Sequence, residues 1–306
     1  MKNSFQKQMP LNQKCLRRDS LKRSSARLRR AGRSLAVYRA MPGGHNSLSI
    51  LLLVWIVGLG SSSCSALKEL RNFNNYSEAD DAALGLQAFG EVRTSENVLN
   101  AGPEVDQVNR VTERLVASAM ELKAGIASQF EWEAIVIDAP DTVNAFCLPG
   151  GKMAVYTGIL PVAQGDAGLA VVMGHEIAHA TERHGTERLT RQGLTVSAIE
   201  VLLEDETHQQ IASGASQLFL GLPWGRSDEL QADEVGLMIL ANAGYDPREA
   251  PLFWVRMSQL TGGGDDSMIG EFLSTHPSNQ TRIDALKAAI PAAMPLYEAY
   301  LAGNPE

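Results

Sequence analysis

Residues 173–185 read MGHEIAHATERHG, and nothing else in the chain constrains its fold as strongly as these two histidines four positions apart around a glutamate. Asp166 offers an N-cap, Gly185 a C-terminal stop, and no proline intervenes, so the pattern predicts a helix over residues 167–184. On a helix, positions four apart differ by about 40° in azimuth and roughly 6 Å in height, so His175 and His179 point the same way. Two neutral imidazoles so placed can both reach one divalent cation at about 2.0–2.1 Å, with Glu176 beside the ion and free of it. A carboxylate there can take a proton from an activated water. The competing reading is a solvated helix with two incidental histidines, since the pattern fixes only three positions.

A catalytic metal needs a third protein ligand and one open position, so a second helix must converge on the first. Residues 226–236 read RSDELQADEVG. Ser227 offers an N-cap, Asp228 and Glu229 suit the positive first turn, and Gly244 marks the end of this helix. Glu229 and Asp233 lie four apart and share a face. Glu229 can ligate the ion, while Asp233 can accept a hydrogen bond from the free ring N–H of a liganding histidine and fix its tautomer. Alone, this stretch reads as an acidic helix start; beside the histidine pair, it completes a zinc set.

Around these helices the chain predicts an α+β fold. Val105, Val108, Val111, Leu115, Ala119 and Leu122 recur at spacings of three and four, one buried helical stripe. Trp132–Ile137, VNAF and MAVYTGIL read as strands, the last two joined through Pro149, Gly150 and Gly151. If the MAVYTGIL strand has a free edge, an extended peptide can pair with it. Two apolar helical stretches over residues 194–222 are each too short to span a bilayer and are expected to pack as core, the alternatives being a cover over the cleft or a surface resting on a membrane. Cys147, in an apolar setting, reads as a small buried hydrophobe rather than a nucleophile.

The N-terminal part differs in kind. Residues 1–47 carry twelve Lys and Arg against one acid, Asp19, whereas the remainder carries 15 against 34. An apolar run from Leu48 to Leu59 is too short for a spanning helix and reads as the core of an export signal. Followed by small residues and a cysteine, it resembles a bacterial lipoprotein signal with Cys64 as the lipidation site, although Ser61 stands where such signals carry Leu. Secretion after cleavage, or an uncleaved signal anchor, are the alternatives, and Met41 is an alternative start. This layout divides the chain into a leader over 1–64, a linker over 65–77 and a domain over 78–306. It places the protein on the periplasmic side of a bacterial cell envelope, as an outer-membrane lipoprotein whose membrane contact runs through an N-terminal lipid or signal anchor.

HEIAH followed by ELQAD resembles the Glu-zincin metallopeptidases of family 48, the HtpX-like and CAAX-prenyl-endopeptidase-like group. The likeness extends to NAFCLPGGKMAVYTGIL, to Arg183 and His184, and to STHPSNQTRIDAL, over roughly residues 76–290. It implies a mainly helical zincin-type domain with a small sheet beside the active-site helix. It also implies one Zn²⁺ held by His175, His179 and Glu229, with Glu176 as general base. His276 has three readings: an oxyanion donor, a latch on the fourth coordination position, or a loop residue of a turn capped by Ser278. Arg226 reads as a ligand-orienting or substrate-binding group or a local ion pair. His184, nine residues from His175, lies on the opposite heading of a continuous helix and reads as structural, and His208 as solvated. The implied activity is endopeptidase cleavage of misfolded or misassembled envelope proteins; the alternative is a holdase or assembly factor of the outer membrane with minor proteolysis. Nucleic acid is not expected as a partner.

Overall fold

The computed structural model describes residues 74–193, 216, 219–260, 272–277 and 280–304. The leader with Cys64, His208, Ser278 and most of the apolar segment 194–222 lie outside these residues. In chain order the elements are α1 (Glu78–Ser95), β1 (Val98–Leu99), α2 (Pro103–Leu122), α3 (Ala124–Ala127), β2 (Glu133–Ile137), β3 (Ala145–Leu148) and β4 (Lys152–Tyr156). A 3-10 turn (Thr157–Ile159) leads into α4 (Leu160–Ala163), α5 (Asp166–Thr181), α6 (His184–Arg191), α7 (Arg226–Asn242), α8 (Glu249–Leu260) and α9 (Gln280–Gly303). This is a mainly helical α+β domain around one small sheet, the expected class. Among the described residues, no helix is long and apolar enough to cross a membrane.

The sheet runs β1-β2-β4-β3, with β2 and β4 parallel and the two outer pairs antiparallel. Because side chains alternate across a strand, the sheet feeds two cores. Val136, Ala145, Cys147, Met153 and Val155 face a core shared with α2, α5, α7 and α8. Ile135, Ile137, Phe146, Leu148, Ala154 and Tyr156 face the other, which α1 closes with Leu84 and Phe89. The strand expected to offer a free edge, β4, lies inside the sheet between β2 and β3. The outer strands are β1 and β3, and strand order depends on pairing that no local pattern encodes.

In α2, Val108, Val111, Leu115 and Ala119 are buried as the periodicity requires, but Leu122 at the last turn is exposed. Helix α5 is the central element: every residue from Gly168 to Thr181 is buried, so it is apolar on all sides rather than amphipathic. Its N-cap is Gly165, and Asp166, the first helical residue, accepts from Arg110 and Gln107 of α2. The helix ends at Thr181 instead of continuing to 184. Arg183 takes a left-handed conformation at φ 60°, held by its Nε donating to Asp81 Oδ2 at 2.6 Å and its Nη2 donating to the Tyr76 carbonyl at 2.6 Å. Helix α7 is preceded by Gly225 as N-cap rather than Ser227 and ends one residue before Ala243, with Gly244 at φ 78°. It lies directly against α5.

Candidate metal centre

His175 and His179 project from one face of α5 toward Glu229 in the first turn of α7, and His276, after a helical stretch over 272–275, closes the group. All four are buried, and one donor atom from each lies within 4.8 Å of the others. The His175 and His179 Nε2 atoms are 3.1 Å apart, His179 Nε2 is 3.2 Å from Glu229 Oε1, and His175 Nε2 is 3.7 Å from Glu229 Oε2. His276 Nδ1 lies 3.1 Å from Glu229 Oε1 and 3.4 Å from His175 Nε2. For ligand bonds of about 2.0–2.1 Å a tetrahedral zinc site has edges of roughly 3.3–3.4 Å. The two Nε2 atoms and the Glu229 carboxylate thus stand close to the spacing such an ion requires.

The surrounding protons fit the same purpose. Asp233 Oδ1 lies 2.9 Å from His175 Nδ1, so that nitrogen donates and Nε2 turns its lone pair to the cluster. Arg282, from α9, donates twice to Asp233 at 2.7 Å, pairs with Glu229 and covers Trp254 at 3.9 Å. Burial raises the carboxyl pKa values of Glu229 and Asp233, but the neighbouring histidines outweigh it at Glu229, and Arg282 at Asp233, so both are held below the usual range. Burial drives His179 well below the ordinary histidine value, leaving it neutral and able to ligate.

Glu176 stands next to the cluster. Its Oε1 is buried without a hydrogen-bond partner, 3.5 Å from His276 Nε2, while the Cys147 backbone N–H donates to the same carboxylate. Burial pushes its pKa up to about 8, against the opposing pull of His175 and Arg282. A buried carboxylate oxygen left without a partner calls for a proton, a water or a cation. Cys147 itself is buried and unpaired, and burial pushes its thiol pKa up, so it carries no nucleophile.

Three residues at the site have no local signal in the sequence. Trp224 stacks on His179 at 4.3 Å and donates its indole N–H to His276 Nε2 at 3.1 Å. Indole only donates, so His276 Nε2 carries a lone pair and its proton sits on Nδ1. Arg282 is the second. His184 is the third: because the helix breaks at Arg183, this ring folds back and its Nδ1 lies 3.0 Å from His179 Nδ1. The expected opposite heading assumed one continuous helix. Arg226 is exposed at the start of α7. A cleft open to solvent runs beside Glu176 and is walled by β3, Phe219, Leu220 and Trp224.

The sequence profile of peptidase family M48 matches residues 104–290. Over 175 residues the chain is 41% identical to the mitochondrial metalloendopeptidase OMA1 of Arabidopsis thaliana, covering 56% of this chain and 35% of that protein. The OMA1 of Schizosaccharomyces pombe is 36% identical over 231 residues, 73% and 65% of the two chains. The beta-barrel assembly-enhancing protease of Escherichia coli is 26% identical over 204 residues, 63% and 40%. The chain thus spans between about a third and two thirds of the length of these relatives. The more similar relatives are mitochondrial, which overturns the placement as a bacterial outer-membrane lipoprotein. Export signals and organelle transit segments share a basic, acid-poor character, so the charge of residues 1–47 did not distinguish them.

Proposed function

Because this chain belongs to peptidase family M48, whose members use zinc, we propose that it is a zinc-dependent endopeptidase acting on extended segments of unfolded or misassembled proteins. The observation that carries this reading is the buried meeting of His175, His179 and Glu229 at tetrahedral spacing, with the unpartnered Glu176 oxygen beside it. Those three side chains would hold the ion. Zinc, when bound, polarises a scissile carbonyl and makes water a stronger nucleophile near neutral pH. Glu176 takes the proton of the attacking water and delivers it to the leaving amine. His276 points its Nδ1–H at the cluster, where it can donate to the developing oxyanion. Since a protonated nitrogen offers no lone pair, the Trp224 hydrogen bond favours the donor over the latch.

Substrate binding belongs to β3. Tyr156 N–H bonds to the Asn144 carbonyl, so by the alternation of an antiparallel ladder the main-chain groups of Ala145 and Cys147 face away from β4; the Cys147 N–H is taken by Glu176, and Ala145 offers its groups to a peptide. A peptide added there is held by its backbone, which selects chains free to extend. The test is cleavage of a denatured protein by the zinc-loaded chain and its Glu176→Gln variant. The variant is expected to lose about 10²–10⁴-fold in rate with zinc content unchanged. Undiminished cleavage would overturn the proposal, and a protein that acts only by binding would keep its biological role in the variant.

A further inference from the structure

We infer that His179 is set for metal binding by a hydrogen-bonded relay through His184, Gln231 and Glu182 that starts from an ion pair with Lys123; this rests on the zinc reading above. Each link is in place. Lys123 Nζ lies 2.5 Å from Glu182 Oε1, and Gln231 Nε2 donates to Glu182 Oε2 at 2.5 Å. Gln231 Oε1 lies 3.4 Å from His184 Nε2, and His184 Nδ1 lies 3.0 Å from His179 Nδ1.

The direction of every proton follows from the far end. A carboxylate bound to an ammonium only accepts, so Gln231 must turn its amide NH₂ to Glu182 and its carbonyl to His184. His184 therefore donates from Nε2 and keeps a lone pair on Nδ1. That lone pair faces His179 Nδ1, which must carry the proton, and His179 Nε2 is left as a lone pair 3.1 Å from its counterpart on His175. The partly exposed ion pair thus dictates which nitrogen of a buried ring can ligate. His175 obtains the same result directly from Asp233, whose charge Arg282 balances. Both rings end on a carboxylate neutralised by a cation, one through a single bond and the other through three. The relay residues come from separate elements: Lys123 follows α2, Glu182 follows α5, His184 opens α6 and Gln231 lies in α7.

Gln231, Glu182 and His184 are positioning residues, and partners of this kind are worth about 10–100-fold in metal affinity. Zinc affinity by competition with a chromophoric chelator is expected to fall at least about tenfold in Gln231→Leu. Glu182→Gln keeps an acceptor but removes the charge, and a smaller loss, severalfold, is expected. Thermal melting of the metal-free forms verifies that both variants fold. Nitrogen-15 NMR of the zinc-loaded parent is expected to place the His184 proton on Nε2 and the His179 proton on Nδ1. A His184 proton on Nδ1, or affinities in both folded variants within twofold of the parent, would overturn the relay alone. A parent that binds no zinc would instead remove the peptidase reading on which the relay stands.

Discussion

Arg282 holds together charges that could not otherwise share a dry site. It is buried, forks onto both oxygens of Asp233, and also pairs with Glu229, while its guanidinium lies over the face of Trp254. Two carboxylates brought this close inside a protein repel unless a cation divides them, and removing one partner of a buried ion pair costs about 3–5 kcal/mol because the other charge is left uncompensated. Arg282→Met keeps much of the apolar stem against Trp254 and deletes only the charge. Its urea unfolding midpoint should therefore fall by the equivalent of several kcal/mol, a loss on the scale of ~3 kcal/mol or more. Its zinc affinity should fall as well, since Asp233 would no longer be fixed against His175. A midpoint shift of less than about 1 kcal/mol, the scale of exposed pairs, would show that Arg282 is not the counter-ion of this group.

At the level of elements, the site depends on how closely α5 and α7 cross. A Cβ placed on Gly236 would meet the Gly174 carbonyl carbon and oxygen and the His175 nitrogen, all at 2.9 Å, so the helices touch backbone to backbone one residue from a ligand. Gly236→Ala must push the helices apart, and overpacking of this kind costs about 1–3 kcal/mol. Isothermal titration with zinc should register weaker binding alongside that loss, because Glu229 moves with α7; unchanged binding would mean the crossing does not set the ligand geometry. The N-terminus of α5 gives a pH-dependent counterpart. Hydrogen bonds from Arg110 hold the Asp166 pKa below its usual value. A lowered folded-state pKa stabilises above the unfolded value of about 3.9 and ceases to do so as pH falls through the folded value. Asp166→Asn should thus melt below the parent at pH 7, and the gap should close below about pH 4. The helices that carry ligands were legible in the sequence, because spacing of four is a local signal, as is Gly244 after α7. The end of α5 was not, because Arg183 is held in its turn by Asp81 and Tyr76, about a hundred residues earlier. Likewise the relation of Trp224, His184 and Arg282 to the ligands exists only through space, and the edge position of β3 follows from strand order.

For the molecule as a whole, the cluster is a joint as much as a site. His175 and His179 come from α5, Glu229 from α7, and His276 from the stretch just before α9, which also supplies Arg282. Without a cation, two imidazole lone pairs face each other at 3.1 Å and the Glu176 oxygen stays unpaired, so the folded state carries polar groups that burial penalises. An ion that binds this arrangement and not the unfolded chain stabilises folding by linkage, by about 4.1 kcal/mol when free zinc is a thousandfold above its dissociation constant. Calorimetric melting in excess zinc and in excess chelator should therefore differ by several degrees or more, with the chelated form melting first. The same comparison on His179→Ala should show most of that difference gone, since one corner of the tetrahedron has been removed. Equal melting temperatures with and without the chelator, in a parent that demonstrably binds zinc, would mean that α5, α7 and the His276 segment are held by their apolar contacts alone and that the ion only occupies a frame already rigid.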